Sequence, residues 1–68
     1  MIKTKYFEAT NNTALDALTD ALQQVNTFVK SEKIANLDIL EYHTDSRKKE
    51  GTSKYCCRVT LSWFAKED

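Results

Sequence analysis

Apolar positions change period along the chain, and each change marks an element. From Ile2 to Ala9 the run carries strand formers, Ile2, Tyr6 and Phe7, between Lys3, Thr4 and Lys5, which predicts a β-strand with one open face. Thr10-Asn11-Asn12 breaks it. From Thr13 to about Lys30 the period becomes helical. Leu15, Leu18, Leu22, Val25 and Val29 recur at spacings of 3, 4, 3 and 4, with Ala14, Ala21 and Phe28 beside them. That is one apolar stripe on an amphipathic helix, and a stripe of this kind packs on a core. Thr13 and Asp16 form an acidic version of the capping box, with Asn12 as a competing N-cap.

Ser31-Glu32-Lys33 is a polar exit from the helix. Strand character resumes from Ile34 to His43, in IANLDILEYH. Leu37 and Ile39 alternate there with Asp38, Leu40 and Tyr42, so this strand reads as apolar on both faces. The charged stretch Asp45–Lys54 holds the one Gly, Gly51, and reads as a hairpin connection or frayed strand ends. Tyr55 to Phe64 is a final strand, followed by a charged tail. The order is β-α-β-β. The expected fold class is α+β, a three-stranded, mainly antiparallel sheet with one amphipathic helix on one face. Residues 1–68 form a single domain.

The last strand, KYCCRVTLSWF, carries both cysteines. Neighbours in a strand point to opposite faces. Tyr55, Cys57, Val59, Leu61 and Trp63 therefore share an apolar face toward the helix, and Cys57 reads as a small buried hydrophobe. Cys56, Arg58, Thr60, Ser62 and Phe64 share the second face. If Ile2 and Tyr6 point inward, Lys3, Lys5 and Phe7 join that second face. One helix cannot cover both sides of the sheet. The expected interface is accordingly Lys3, Lys5, Phe7, Cys56, Arg58, Thr60 and Phe64, with the phenylalanines as anchors and the charges at the rim.

Size and charge narrow the function. A core of 68 residues is small, and small folds bury a smaller share of their surface. Two Cys and one His supply neither a disulfide framework nor a zinc spacing. Self-association is the expected supplement. Ten basic residues balance ten acidic ones, which argues against a dedicated nucleic-acid binder, even with Arg47, Lys48, Lys49 and Lys54 close together. His43 has no ligand-spaced neighbour and reads as an exposed strand-end residue. No run has the length of a membrane span. No paired titratable groups suggest acid–base catalysis. Free thiols without an export signal point to the cytosol.

Three stretches resemble the dodecins, small flavin-binding proteins that assemble as hollow multi-subunit shells. ATNNTALDAL (9–18) is similar to the dodecin turn into its helix. LDILEY (37–42) is similar to the dodecin middle-strand motif Leu-Asp-Trp-Phe-Glu-Val, and KYCCRVTLSWF with AKED (54–68) to its final strand. The resemblance implies a βαββ fold and, with it, binding and storage of flavin or another planar ligand. The family's ring-stacking Trp falls on Ile39 and its flavin-bonding Gln on Cys56 or Cys57, so Ile39 and Cys57 are the cofactor contacts the likeness implies. KYFEATN (5–11), the leucine helix and LDILEY also resemble a family of very small "sporulation" proteins from spore-forming bacteria and their phages. The expectation is a non-enzymatic, cytosolic, oligomeric binding protein that uses the sheet face opposite the helix. Its partner is expected to be a protein, as for a regulator or a phage or accessory inhibitor.

Overall fold

The computed structural model describes residues 1–66. Strand β1 (Ile2–Asn11) leads into helix α1 (Ala14–Ser31), and a short 3-10 turn at Asn36–Asp38 precedes β2 (Ile39–Lys48) and β3 (Tyr55–Phe64). The sheet order is β1-β3-β2 with both pairings antiparallel. The last strand is therefore the central one, and the crossover through α1 connects two parallel strands that do not touch. The α+β class, the element order and the bounds of β3 agree with the sequence pattern. The first two strands do not: β1 runs on through Thr10 and Asn11, which pair with Cys56 and Tyr55 instead of breaking the strand, and β2 starts at Ile39 and runs on to Lys48, into the charged stretch.

Local chemistry fixes both helix ends. Thr13 is the N-cap, its Oγ1 accepting from the Asp16 N–H at 3.1 Å, which satisfies one orphan donor of the first turn. At the other end Lys33 adopts φ 55°. Its N–H donates to the Lys30 carbonyl, and the Ile34 N–H reaches back to Val29 at 3.0 Å. This is a Schellman closure, with Ile34 packing on the core beside Val29. The β2–β3 turn closes on Lys49 and Thr52, with Gly51 at φ 75°. That conformation favours glycine.

The core lies between α1 and the β1–β3 half of the sheet. Phe7, Ala17, Ala21, Val25, Cys57, Val59, Leu61 and Trp63 are buried. Phe28 stands edge-on between Phe7 and Trp63, at centroid distances of 5.4 and 5.3 Å. Edge-to-face packing of this kind suits the aromatic quadrupole. The buried centre of the helix stripe is Ala17–Ala21–Val25. Leu18 and Leu22 are half-buried and pack against its margin, whereas Leu15 is 71% exposed.

Candidate functional site

The sheet face opposite the helix is uncovered, and strand register shows what it presents. Directly opposed residues of antiparallel strands share a face. Phe7 opposes Val59 and Lys5 opposes Leu61, and Val59 and Leu61 are fully buried against the helix. The phase expected for β1 is thereby corrected. Lys3, Lys5 and Phe7 lie on the helix side, and Phe7 is core at 6% exposure. Ile2, Thr4, Tyr6 and Glu8 take the open face. The physical reason is the edge position of β1. The Lys5 ammonium sits 5.4 Å from the Phe28 ring centroid and 5.6 Å from that of Phe7. A lysine at a sheet edge can lay its stem on apolar surface and keep its head in water.

The second strand needs a similar correction. Ile39 opposes Trp63 and Glu41 opposes Ser62, so β2 carries one extra residue between them. Leu40 is the bulged residue. Leu37 lies in the 3-10 turn and is 97% exposed. Ile39 and Tyr42 consequently share the helix side, and the open face of β2 is Glu41, His43, Asp45 and Arg47. These paired residues are polar, and the one apolar residue outside the ladder, Leu40, is 55% exposed.

Cys56, Arg58, Thr60 and Phe64 lie on the open face as the alternation of β3 predicts. The face runs from an apolar end to a charged end. Ile2 opposes Phe64, and they are 65% and 47% exposed. The Thr4 and Ser62 hydroxyls are 2.9 Å apart in the next row. Tyr6 opposes Thr60, which opposes His43; Glu8 opposes Arg58, which opposes Asp45. Arg58 donates to Glu8 at 3.1 Å and stands 5.6 Å from the Tyr6 ring centroid. Arg47 donates to Asp45 at 3.3 Å. The Cys56 thiol points to the Glu8 carboxylate at 3.7 Å. Its acceptor is an anion, the reverse of the cationic setting that activates a cysteine.

The residues named by the dodecin likeness are placed differently. Cys57 has no exposed surface and presents nothing to a ligand. Ile39 is half-buried beside Trp63. Tyr42 lies on the helix side of β2, and desolvation, with Cys57 as second cause, raises its phenol above the usual 10.0. A shallow cleft of about 320 Å³ lies at the Trp63 end of the sheet, where Lys3, Lys33 and Lys66 are offset by Glu32 and Asp38. Among the described residues no three His, Cys, Asp or Glu side chains gather as a metal site, and no helix is long and apolar enough to cross a membrane.

A βαββ unit with one covered and one open sheet face is thus the class this chain defines. Comparison with protein-family models, curated protein sequences and solved structures gives no match for it.

Proposed function

We propose that the protein is a non-enzymatic interaction module of the cytosol, one that self-associates and docks a protein partner on its open sheet face. The observation that carries this reading is the make-up of that face. Exposed Ile2, Tyr6 and Phe64 adjoin the Glu8–Arg58 and Asp45–Arg47 ion pairs. Aromatic and arginine side chains within a polar surround are the composition of protein–protein contacts. The docking residues are Cys56, Arg58, Thr60 and Phe64, with Ile2 and Tyr6 of β1 replacing Lys3, Lys5 and Phe7. Two free thiols support a reducing compartment. A small non-enzymatic module that docks a protein suits a regulatory or inhibitory role, as of a phage or accessory inhibitor.

The test uses the full chain as bait in cell extract, alongside Phe64→Asp, Arg58→Glu and the helix-surface control Thr27→Asp. The reading expects one protein captured in stoichiometric amount by wild type and Thr27→Asp and lost by both face variants. Capture that ignores the face variants overturns it. So does purification with a coloured or fluorescent small molecule and no protein partner, which is the outcome for a dodecin-type carrier.

A further inference from the structure

The sheet has two edges, and they are treated differently. On β1, Gln24 of the helix donates through Nε2 to the Glu8 carbonyl at 3.0 Å, and Lys3 and Lys5 stand on the helix side of the strand. A capped carbonyl and edge lysines are common devices against strand pairing. On β2 every residue after Ile39 is exposed, and among the described residues no side chain caps the backbone of Leu40–Arg47. The helix also leaves this edge bare. Asp20 and Gln24 lie on the β1 flank of α1, bonded to Asn11 and Glu8. Helical spacing then puts Leu15, Leu18 and Leu22 on the opposite flank, toward β2. Leu15 and Tyr42 are 71% and 48% exposed there. A ten-residue edge strand, bulged at Leu40 but with its Leu40–Arg47 backbone uncapped among the described residues, thus adjoins a half-covered apolar flank.

The charges of β2 say what fits the edge. Its open face reads Glu41, His43, Asp45, Arg47. In an antiparallel pair of identical strands the two-fold axis runs perpendicular to the sheet, so opposed residues come from the same face. Centred on Thr44, the pairing sets Glu41 against Arg47 of the second copy and His43 against Asp45 of the second copy, each twice. Every charged residue of that face then meets a group of opposite character. Moving the centre to His43 sets Glu41 against Asp45, and moving it to Asp45 sets Asp45 against itself. Opposed like charges destabilise a strand pair and opposite charges stabilise it.

We infer that β2 pairs antiparallel with β2 of a second copy of this chain, centred on Thr44, to give a continuous six-stranded sheet β1-β3-β2-β2-β3-β1. Both helices lie on one side of it. The leucine flanks and the two Tyr42 rings line the space between them, above the joined strands. Both open faces lie on the other side and form one extended surface. The inference does not rest on the partner reading, since the edge and the open face are separate surfaces.

Sedimentation equilibrium of the purified full chain tests it, with charge reversal and charge exchange. Wild type is expected to be a dimer. Glu41→Arg and Arg47→Glu each set like charges opposite one another twice and are expected to weaken the dimer about tenfold or more. The double variant Glu41→Arg with Arg47→Glu is expected to restore it, because the exchange recreates both pairs. Thr44→Cys in a Cys56→Ser background is expected to cross-link under mild oxidant as a dimer, reporting the register directly. A monomeric wild type overturns the inference, as does a dimer indifferent to both single reversals. Failure of the double variant to recover also overturns it, provided its circular dichroism matches wild type. Loss of partner capture with the dimer intact bears on the open face alone.

Discussion

Ile39 and Tyr42 face the same side of the sheet although three positions separate them in the strand. The bulge at Leu40 accounts for this. Ile39 opposes Trp63, Tyr42 opposes Leu61, and the extra residue between them has no partner of its own. A bulge changes the phase of alternation and leaves the ladder on either side intact.

Deleting Leu40 should therefore be tolerated. Ile39 and Glu41 would become neighbours opposite Trp63 and Ser62, the ladder would be regular, and every β2 side chain would keep its face. Deleting His43 instead reverses one part of the strand relative to the other. Urea unfolding should place the Leu40 deletion within about 1 kcal/mol of wild type and the His43 deletion at least about 2 kcal/mol below it. Equal losses would show that Leu40 is not a free insertion.

Residue volumes in the core lead to a second ordering. Leu61 is fully buried, whereas Leu18 and Leu22 are only half-buried. Leu61→Ala should cost about 3–5 kcal/mol, the range of fully buried leucines, and Leu18→Ala or Leu22→Ala about half of that. Ala21→Leu should cost about 1–3 kcal/mol by overpacking, since Ala21 meets the sheet at 0% exposure. A larger loss at Leu22 than at Leu61 would put the core on the leucine flank.

The element order, the helix with its Thr13 cap and the two faces of β3 were legible in the sequence because each rests on short-range chemistry. A capping hydroxyl, a helical period and strict alternation in a central strand leave few alternatives. The two edge strands were not legible in the same way. In β1, the helix-side lysines are tolerated because an edge strand lets Lys5 reach water past Phe28. In β2, the period is broken at Leu40 by a bulge that the composition of LDILEY does not announce. The assignment of Lys3, Lys5 and Phe7 to the open face failed for the first reason. The placing of Tyr42 opposite Ile39 in phase failed for the second, and Leu37 lies in the 3-10 turn before the strand.

The adjacent cysteines should differ in solution. Cys57 is fully buried and Cys56 is partly exposed. A thiol reagent should modify Cys56 in the folded protein and Cys57 only after unfolding. Cys57→Ser should cost about 1–3 kcal/mol, because it leaves a hydroxyl in an apolar site, and Cys56→Ser less than about 0.5 kcal/mol. Rapid modification of both thiols in the folded state would mean that β3 opens locally.

Two left-handed residues give effects of opposite sign. Lys33 holds φ 55° at the helix exit, where a side chain is strained and glycine is not. Lys33→Gly should raise stability by up to about 1 kcal/mol. Gly51 holds φ 75°, and a Cβ there meets nothing within 4 Å. Gly51→Ala should therefore lose about 1 kcal/mol from backbone conformation alone. Thermal melts of the pair should move in opposite directions.

Phe7 and Phe64 provide the test of which aromatic belongs to the core and which to the open face. Phe7 is 6% exposed and packs edge-on against Phe28, whereas Phe64 is 47% exposed opposite Ile2. Phe7→Ala should cost about 3–5 kcal/mol, because it empties the site beneath Phe28. It should also change the fluorescence of Trp63, which touches the other side of the same ring. Phe64→Asp removes an exposed ring and adds a charge where water already reaches. It should shift stability by no more than about 1 kcal/mol, with far-ultraviolet circular dichroism unchanged, while abolishing capture of the partner protein. If Phe64→Asp unfolds the chain, the ring is structural and the open face loses its apolar anchor. If it leaves both stability and capture untouched, the partner docks elsewhere.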